Sequence, residues 1–208
     1  MKSNADAWEA DYLLRGPLWG GSVQHLPDLV PGSRVLELGC GNGKSLACMA
    51  GRGWDVTAID FSPRAAGLCR HISSRNSPPH LIIADARDCP FRDASFDCIF
   101  ATHIIGHLPA PDRQRTAAEI RRLLVADGNL LFVEFSTEDL RSATGIEIEP
   151  GTYRRGNGII THYFSVEDAV SLFSLFRAIS VTTHQWSMRI RGKDLKRSEI
   201  HAVFAKQC

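Results

Sequence analysis

The chain lacks a charge bias. Twenty-four Lys and Arg stand against 23 Asp and Glu in 208 residues, a formal net charge of +1. That balance gives none of the basic footprint a domain carries when it binds a nucleic-acid backbone, so nucleic acid is not an expected partner. No apolar run reaches the roughly 18 residues a membrane helix needs, and no membrane association is expected. A signal-peptide pattern is missing as well, because Lys2, Asp6, Glu9 and Asp11 interrupt the first residues. The six cysteines, at positions 40, 48, 69, 89, 98 and 208, contain no C-x-x-C pair. Neither a zinc site nor a disulfide framework is indicated, no metal is expected, and a reducing cytoplasm is the expected location. Repeats and low-complexity tracts are absent. What remains is a single domain over 1–208, long enough to bury a substantial core.

The informative stretch is Val35-Leu36-Glu37-Leu38-Gly39-Cys40-Gly41-Asn42-Gly43. It predicts a buried strand running into a glycine turn, then a helix over 44–52 whose first N–H groups face whatever lies on the turn. Glycine at alternate positions lets the backbone adopt positive φ and pass close to a ligand. Glu37, an acid closing an apolar strand, suits a ligand with a cationic group rather than one carrying phosphates alone. Gly43-Lys44-Ser45 supplies the second half of a Walker A loop, but the first glycine of that motif would fall on Leu38. A dinucleotide fingerprint requires G-x-G-x-x-G, whereas this loop reads G-x-G-x-G. A second apolar run, 54–59, ends at Asp60, at about the ~20-residue separation from the loop where a carboxylate reaches ribose hydroxyls. The plainer alternative is an acid that only terminates a strand. Ser62 and Pro63 read as N-cap and first residue of the next helix. A short strand over 81–84 ends at a third acid, Asp85, followed by Ala86.

The segment Glu37-Leu38-Gly39-Cys40-Gly41-Asn42-Gly43 resembles, position for position, motif I (E/D-x-G-x-G-x-G) of the class I, Rossmann-like S-adenosylmethionine-dependent methyltransferases. Ile83 to Phe91 resembles the adenine-binding motif of that family, and Ser95 to Ala101 its fourth strand with the Phe96-Asp97 pair. Val125-Ala126-Asp127-Gly128 takes the place of the turn before the fifth strand; it departs from the usual residues but keeps the glycine. The resemblance covers roughly residues 33 to 136. It implies S-adenosylmethionine as cofactor, S-adenosylhomocysteine as product, and Glu37, Gly39, Cys40, Gly41, Asn42, Gly43, Asp60, Phe61, Asp85, Ala86, Thr102 and His107 as cofactor contacts. It also implies an α/β fold: a doubly wound, seven-stranded, mostly parallel sheet with an antiparallel last strand and helices on both faces. The alternation of strands and helices independently predicts a parallel sheet, with ligands at the carboxyl ends of its strands. Glu37, Gly39, Asp60, Asp85 and Thr102 all fall at such ends.

Two segments qualify as a substrate cap: the N-terminal 1–30 and an insertion, 136–164. Trp8, Tyr12 and Arg15 share one helical side, and Tyr12, Arg15 and Trp19 are candidates for the methionine end of the cofactor; plain packing of an amphipathic helix is the other reading. The insertion carries Tyr153, Arg154, Arg155, His162 and Tyr163 among several glycines, and a loop of that length within a domain is usually functional. It resembles the caps of small-molecule methyltransferases. Transfer from a sulfonium is governed by positioning, whereas an oxygen or amine acceptor must also lose a proton. His103, His107, His162 and Tyr153 are the candidate catalytic residues. No N-P-P-[YF] motif follows the fourth strand, where Thr102-His103-Ile104-Ile105 stands instead, which argues against adenine amines as acceptors. The basic run of Arg189, Arg191, Lys193, Lys196 and Arg197 reads as a solvated hairpin, diluted by Asp194 and Glu199; attraction of an acidic acceptor or an RNA backbone is the other reading. The expected reaction is methyl transfer to a small molecule; a protein or RNA acceptor, or a non-catalytic cofactor-binding protein, are the alternatives.

Overall fold

The computed structural model describes residues 4–15, 26–70, 72 and 78–207, without the side chains of Arg15 and Ile190. Helix α1 (Asn4–Arg15) precedes a repeating strand–helix pattern. It runs β1 (Arg34–Leu38), α2 (Lys44–Met49), β2 (Asp55–Asp60), α3 (Pro63–Cys69), β3 (His80–Ile83) and β4 (Phe96–Thr102). A 3-10 turn (Ile105–His107) leads into α4 (Ala110–Leu123) and β5 (Leu124–Phe135). Three short strands follow, β6 (Ile146–Glu149), β7 (Thr152–Arg154) and β8 (Ile160–His162), then α5 (Val166–Leu172), β9 (Phe176–Ile190) and β10 (Lys193–Lys206).

Seven strands form one sheet in the order β3-β2-β1-β4-β5-β10-β9. β1 pairs parallel with β2 and β4, β2 with β3, and β4 with β5, while β10 runs antiparallel to both β5 and β9. This is the sheet expected from the sequence. Successive strand residues serve two cores, as a pleated strand requires. Leu36, Leu38, Ile99, Leu130 and Phe132 point to the face covered by α4 and α5, whereas Val35, Cys98, Phe100 and Leu131 point to the face covered by α2. The chain leaves β1 in one direction towards β2 and β3 and returns on its other side with β4, so the order reverses at β1/β4. Ligands of open α/β sheets bind outside the strand ends at such a reversal.

The 136–164 segment is more ordered than the sequence suggests. β6, β7 and β8 make a separate antiparallel sheet with β7 in the middle, and its edge strand β8 is wholly buried. Ser165 then caps α5, accepting from the Asp168 N–H while Asp168 accepts from the Ser165 N–H. The hairpin β9–β10 is paired from Lys193↔Ile190 to Lys206↔Phe176, but β10 meets β5 only from Glu199 to Ala205. Its turn end therefore extends past the sheet. The basic residues there are partly neutralised: Arg189 lies 3.7 Å from Asp194, Lys196 bonds Glu138, and Arg197 donates to Asp139 at 2.6 Å. Among the described residues no helix is long and apolar enough to cross a membrane.

Candidate active site

At the reversal point the glycine turn is built on left-handed backbone, with φ of +67°, +54° and +81° at Gly39, Gly41 and Gly43. A side chain would also collide: a Cβ at Gly39 would stand 2.8 Å from Ile104 Cδ1, and one at Gly43 2.1 Å from Ile72 Cδ1. Asp60, 5% exposed, braces the turn by accepting from the Gly41 N–H and the Ser62 N–H, both at 2.9 Å. Cys40 is buried in the turn, and the Cys69 thiol donates to the Gly41 carbonyl at 3.3 Å. Phe61 is 42% exposed beside Asp60.

Glu37 is the electrostatic anomaly. It is 2% exposed, and its Oε2 has no hydrogen-bond partner. Burial pushes its carboxyl up to about 8, opposed by a hydrogen bond from Ser45. A buried polar atom left unpaired is costly, and an ammonium group beside it would supply the missing partner. An amino-acid-bearing nucleoside such as S-adenosylmethionine fits this set. Glu37 would take its ammonium, Asp60 the ribose, and the positive-φ turn would allow the close backbone approach. Asp85 is already engaged, because its carboxylate accepts from the Arg87 backbone N–H and from the Nε and Nη2 of the Arg87 guanidinium. Adenine recognition would therefore fall to the backbone at Ala86, which is buried.

Helix α1 lies across the strand ends and is fastened on both sides. Glu9 accepts from the Ser62 hydroxyl and from Arg64 Nε. Asn4 donates to the His107 carbonyl at 2.6 Å and accepts from the Ile160 N–H at 3.3 Å. Between these anchors, Tyr12 places its hydroxyl 3.1 Å from where a Cβ on Gly41 would stand, and Trp8 meets the His107 ring edge-on at 4.7 Å. Burial holds the Tyr12 phenol in its neutral form. Tyr12 thus reaches the turn. Arg15 ends α1 with its side chain outside the described residues, and Trp19 lies outside them altogether.

The catalytic candidates divide by environment. His162 is 7% exposed, shares a hydrogen bond with Thr152 Oγ1 at 2.8 Å, and packs edge-on against Phe164. Burial pushes its imidazole down to about 4, so its surroundings are those of a packing residue. Tyr153 lies on β7 beside Tyr163, with ring centroids 6.1 Å apart. His107 pairs Nδ1 with the Ile160 carbonyl at 2.7 Å, and burial lowers its pKa. Thr102 closes β4 opposite Val133. His103 follows at φ +53°, a conformation uncommon for a non-glycine residue. Its ring stacks on Phe135 at 4.2 Å between two acids the sequence reading did not single out, Glu134 and Glu199. The signal for Glu134 was present: like Glu37 it is an acid in an apolar strand, Leu130 to Phe135. Among the described residues no cluster of His, Cys, Asp and Glu is arranged to hold a metal.

Comparison with known proteins agrees with this geometry. Residues 36–132 match the methyltransferase domain family. The demethylmenaquinone methyltransferase of Clavibacter sepedonicus is 32% identical over 120 residues, 58% of this chain and 48% of that protein. The 27-O-demethylrifamycin SV methyltransferase of Amycolatopsis mediterranei is 29% identical over 134 residues, 62% of this chain and 48% of that protein. The chain thus spans about half the length of these curated relatives. In fold it is similar to a SAM-dependent methyltransferase of Methanosarcina mazei, with a TM-score of 0.69, 24% identity, and coverage of 86% of this chain and 94% of that one.

Proposed function

We propose that this chain is a class I S-adenosylmethionine-dependent methyltransferase and that it transfers a methyl group to a small molecule held between the strand ends and the α1/β6–β8 cap. Bound at the glycine turn, S-adenosylmethionine supplies an activated methyl group on a sulfonium. The chain's own residues supply the rest. Glu37 neutralises the ammonium, Asp60 orients the ribose, the backbone at Ala86 meets the adenine, and α1 with Tyr12 and Trp8 keeps water from the reacting end.

One observation carries the choice of a small acceptor: α1 is tied to α3 through Glu9 and to the 3-10 turn and β8 through Asn4. A roof fastened on both sides suits an enclosed acceptor better than a polymer laid in an open groove. The partly neutralised hairpin, with Arg189, Lys196 and Arg197 each facing a carboxylate, offers a weakened basic surface to an RNA backbone. Relatives named for methylating a demethylmenaquinone and a demethylrifamycin support the same reading.

The test uses methyl-labelled S-adenosylmethionine and a fractionated extract of the cells that make the protein, counting label in metabolites, RNA and protein, with Asp60→Ala as the blank. Label is expected in the metabolite pool. Label confined to RNA or protein would replace this reading with a macromolecular acceptor, and no label in any pool would leave a cofactor-binding protein.

A further inference from the structure

Phe135 closes β5 at the carboxyl end of the sheet, and its ring is held between two groups. His103 stacks on it at 4.2 Å, and the Arg141 guanidinium carbon lies 3.9 Å from the same ring centroid. Two groups that close would overlap on one face. The ring therefore stands between Arg141 and His103, on which Glu134 and Glu199 converge.

On the Arg141 side the charges do not balance. Asp139 is fully buried and shared: Oδ1 accepts from Arg141 Nε at 3.0 Å and Oδ2 from Arg197 Nε at 2.6 Å. Burial lowers the Arg141 pKa, and the Arg197 and Arg155 charges push the same way against Asp139. A guanidinium does not give up its proton in a protein. One positive charge thus stays unmatched on a side chain only 20% exposed, an arrangement that is costly without a partner.

A third arginine approaches from the cap. Among the described residues Arg155 has no carboxylate partner, and its one hydrogen bond runs from Nη2 to the Tyr163 hydroxyl at 2.8 Å. Tyr163 precedes Phe164, whose N–H donates to the Phe135 carbonyl at 2.9 Å, so both arginines reach the same strand end. The turn after Arg155 packs on the roof: a Cβ on Gly158 would stand 3.4 Å from Ala7 Cβ, and Asn157 Nδ2 lies 3.4 Å from Asp11 Oδ1. Donors remain on both side chains. Arg141 Nη2 is buried without a partner, but Arg141 Nη1 and Arg155 Nη1, also unpaired among the described residues, are not sealed from solvent.

We propose that Arg141 and Arg155 form an anion-binding subsite of the acceptor pocket, and that the acceptor carries a carboxylate or phosphate group held there while a different atom takes the methyl. The inference rests on the methyl-transfer reading above and adds to it the acceptor's charge class and two specificity-determining residues. A carboxylate or phosphate edge matches the planar fork of a guanidinium. A neutral acceptor would leave both charges unmatched, and a cationic one would be repelled. In the transfer the methyl carbon leaves sulfur, the bonding pair stays on sulfur, and the anionic group is unchanged. The product keeps its negative charge.

Two measurements test this. In the first, metabolites labelled by wild type are passed over an anion exchanger. Retention of the label is expected, and label confined to unretained products overturns the inference. The second uses Arg141→Gln and Arg155→Gln. Each should lower labelling in dilute extract about ten-fold or more, as for a lost charge-assisted hydrogen bond, and recover as the extract is concentrated. Calorimetric affinity for S-adenosylhomocysteine should be retained, which a general loss of structure would not allow. Arg155→Lys keeps the charge and should label at a rate between wild type and Arg155→Gln. Benzoate and phenyl phosphate, titrated into protein saturated with S-adenosylhomocysteine, distinguish the two anions: the tighter probe identifies the group, and it should weaken in Arg141→Gln. Equal labelling by both glutamine variants, or binding of neither probe, overturns the inference alone and shows the two arginines to be solvated surface charges. Absence of label with wild type overturns the methyl-transfer reading, and the inference with it.

Discussion

Replacing Asp60 by alanine is expected to lower affinity for S-adenosylhomocysteine about ten- to a hundred-fold and to destabilise the fold by about 2–4 kcal/mol. The two effects have separate causes. Loss of a charge-assisted hydrogen bond to ribose costs about 1.5–3 kcal/mol, a factor of ten or more. The same side chain accepts the Gly41 and Ser62 N–H groups at a site where Asp60 is 5% exposed. Alanine leaves both donors buried without partners, at about 1–3 kcal/mol each, and frees the glycine turn from the geometry that the ligand needs. Asp60→Asn keeps one acceptor oxygen and should fall between alanine and wild type. Calorimetric titration and urea unfolding separate the two losses. Unchanged affinity in Asp60→Ala would remove Asp60 from the site.

The largest effect on stability is expected from Phe132→Ala. Phe132 is fully buried in β5 and meets Phe164, after the cap, edge-on at 5.2 Å and Phe173, after α5, at 5.3 Å. It therefore joins the sheet to the cap and to the last helix. Truncation of a buried phenylalanine costs about 3–5 kcal/mol, because the cavity closes only in part. For a chain of this size that lowers Tm by roughly 10 °C. Urea denaturation should show the loss with the m-value unchanged. A loss below about 1 kcal/mol would mean that the sheet and cap repack independently.

The fold was legible because its signals are local. Apolar strands ended by acids, a glycine turn and alternating elements placed β1 to β5 and the turn before any coordinates. Glu37, Asp60 and the glycines then came together as the motif implied. The cap was less legible, since β6, β7 and β8 are only 4, 3 and 3 residues long, too short for alternation to register. The roof over the site was half legible. Tyr12 and Trp8 were singled out as aromatics, whereas Asn4 and Glu9, which fasten the helix, carry no pattern that distinguishes them from a solvated face. His162 was attractive as a histidine in a glycine-rich insertion, and only its burial against Thr152 and Phe164 assigns it to packing. The grouping of His103 with Glu134 and Glu199 was the least accessible, because residues so far apart meet only when β10 inserts beside β5.

The most direct test of the central claim, that the glycine turn, Glu37 and Asp60 form one S-adenosylmethionine site, is calorimetric titration with S-adenosylhomocysteine near neutral pH in two buffers of different ionisation enthalpy, repeated with NAD present. Glu37 in the free protein is held largely protonated by a pKa of about 8. Pairing with the ligand's ammonium stabilises the carboxylate and lowers that pKa. Binding should therefore be one to one, release a proton, tighten as pH rises towards 8, and be unaffected by NAD. Displacement by NAD, or binding with no proton release and no change in Glu37→Gln, would contradict the account.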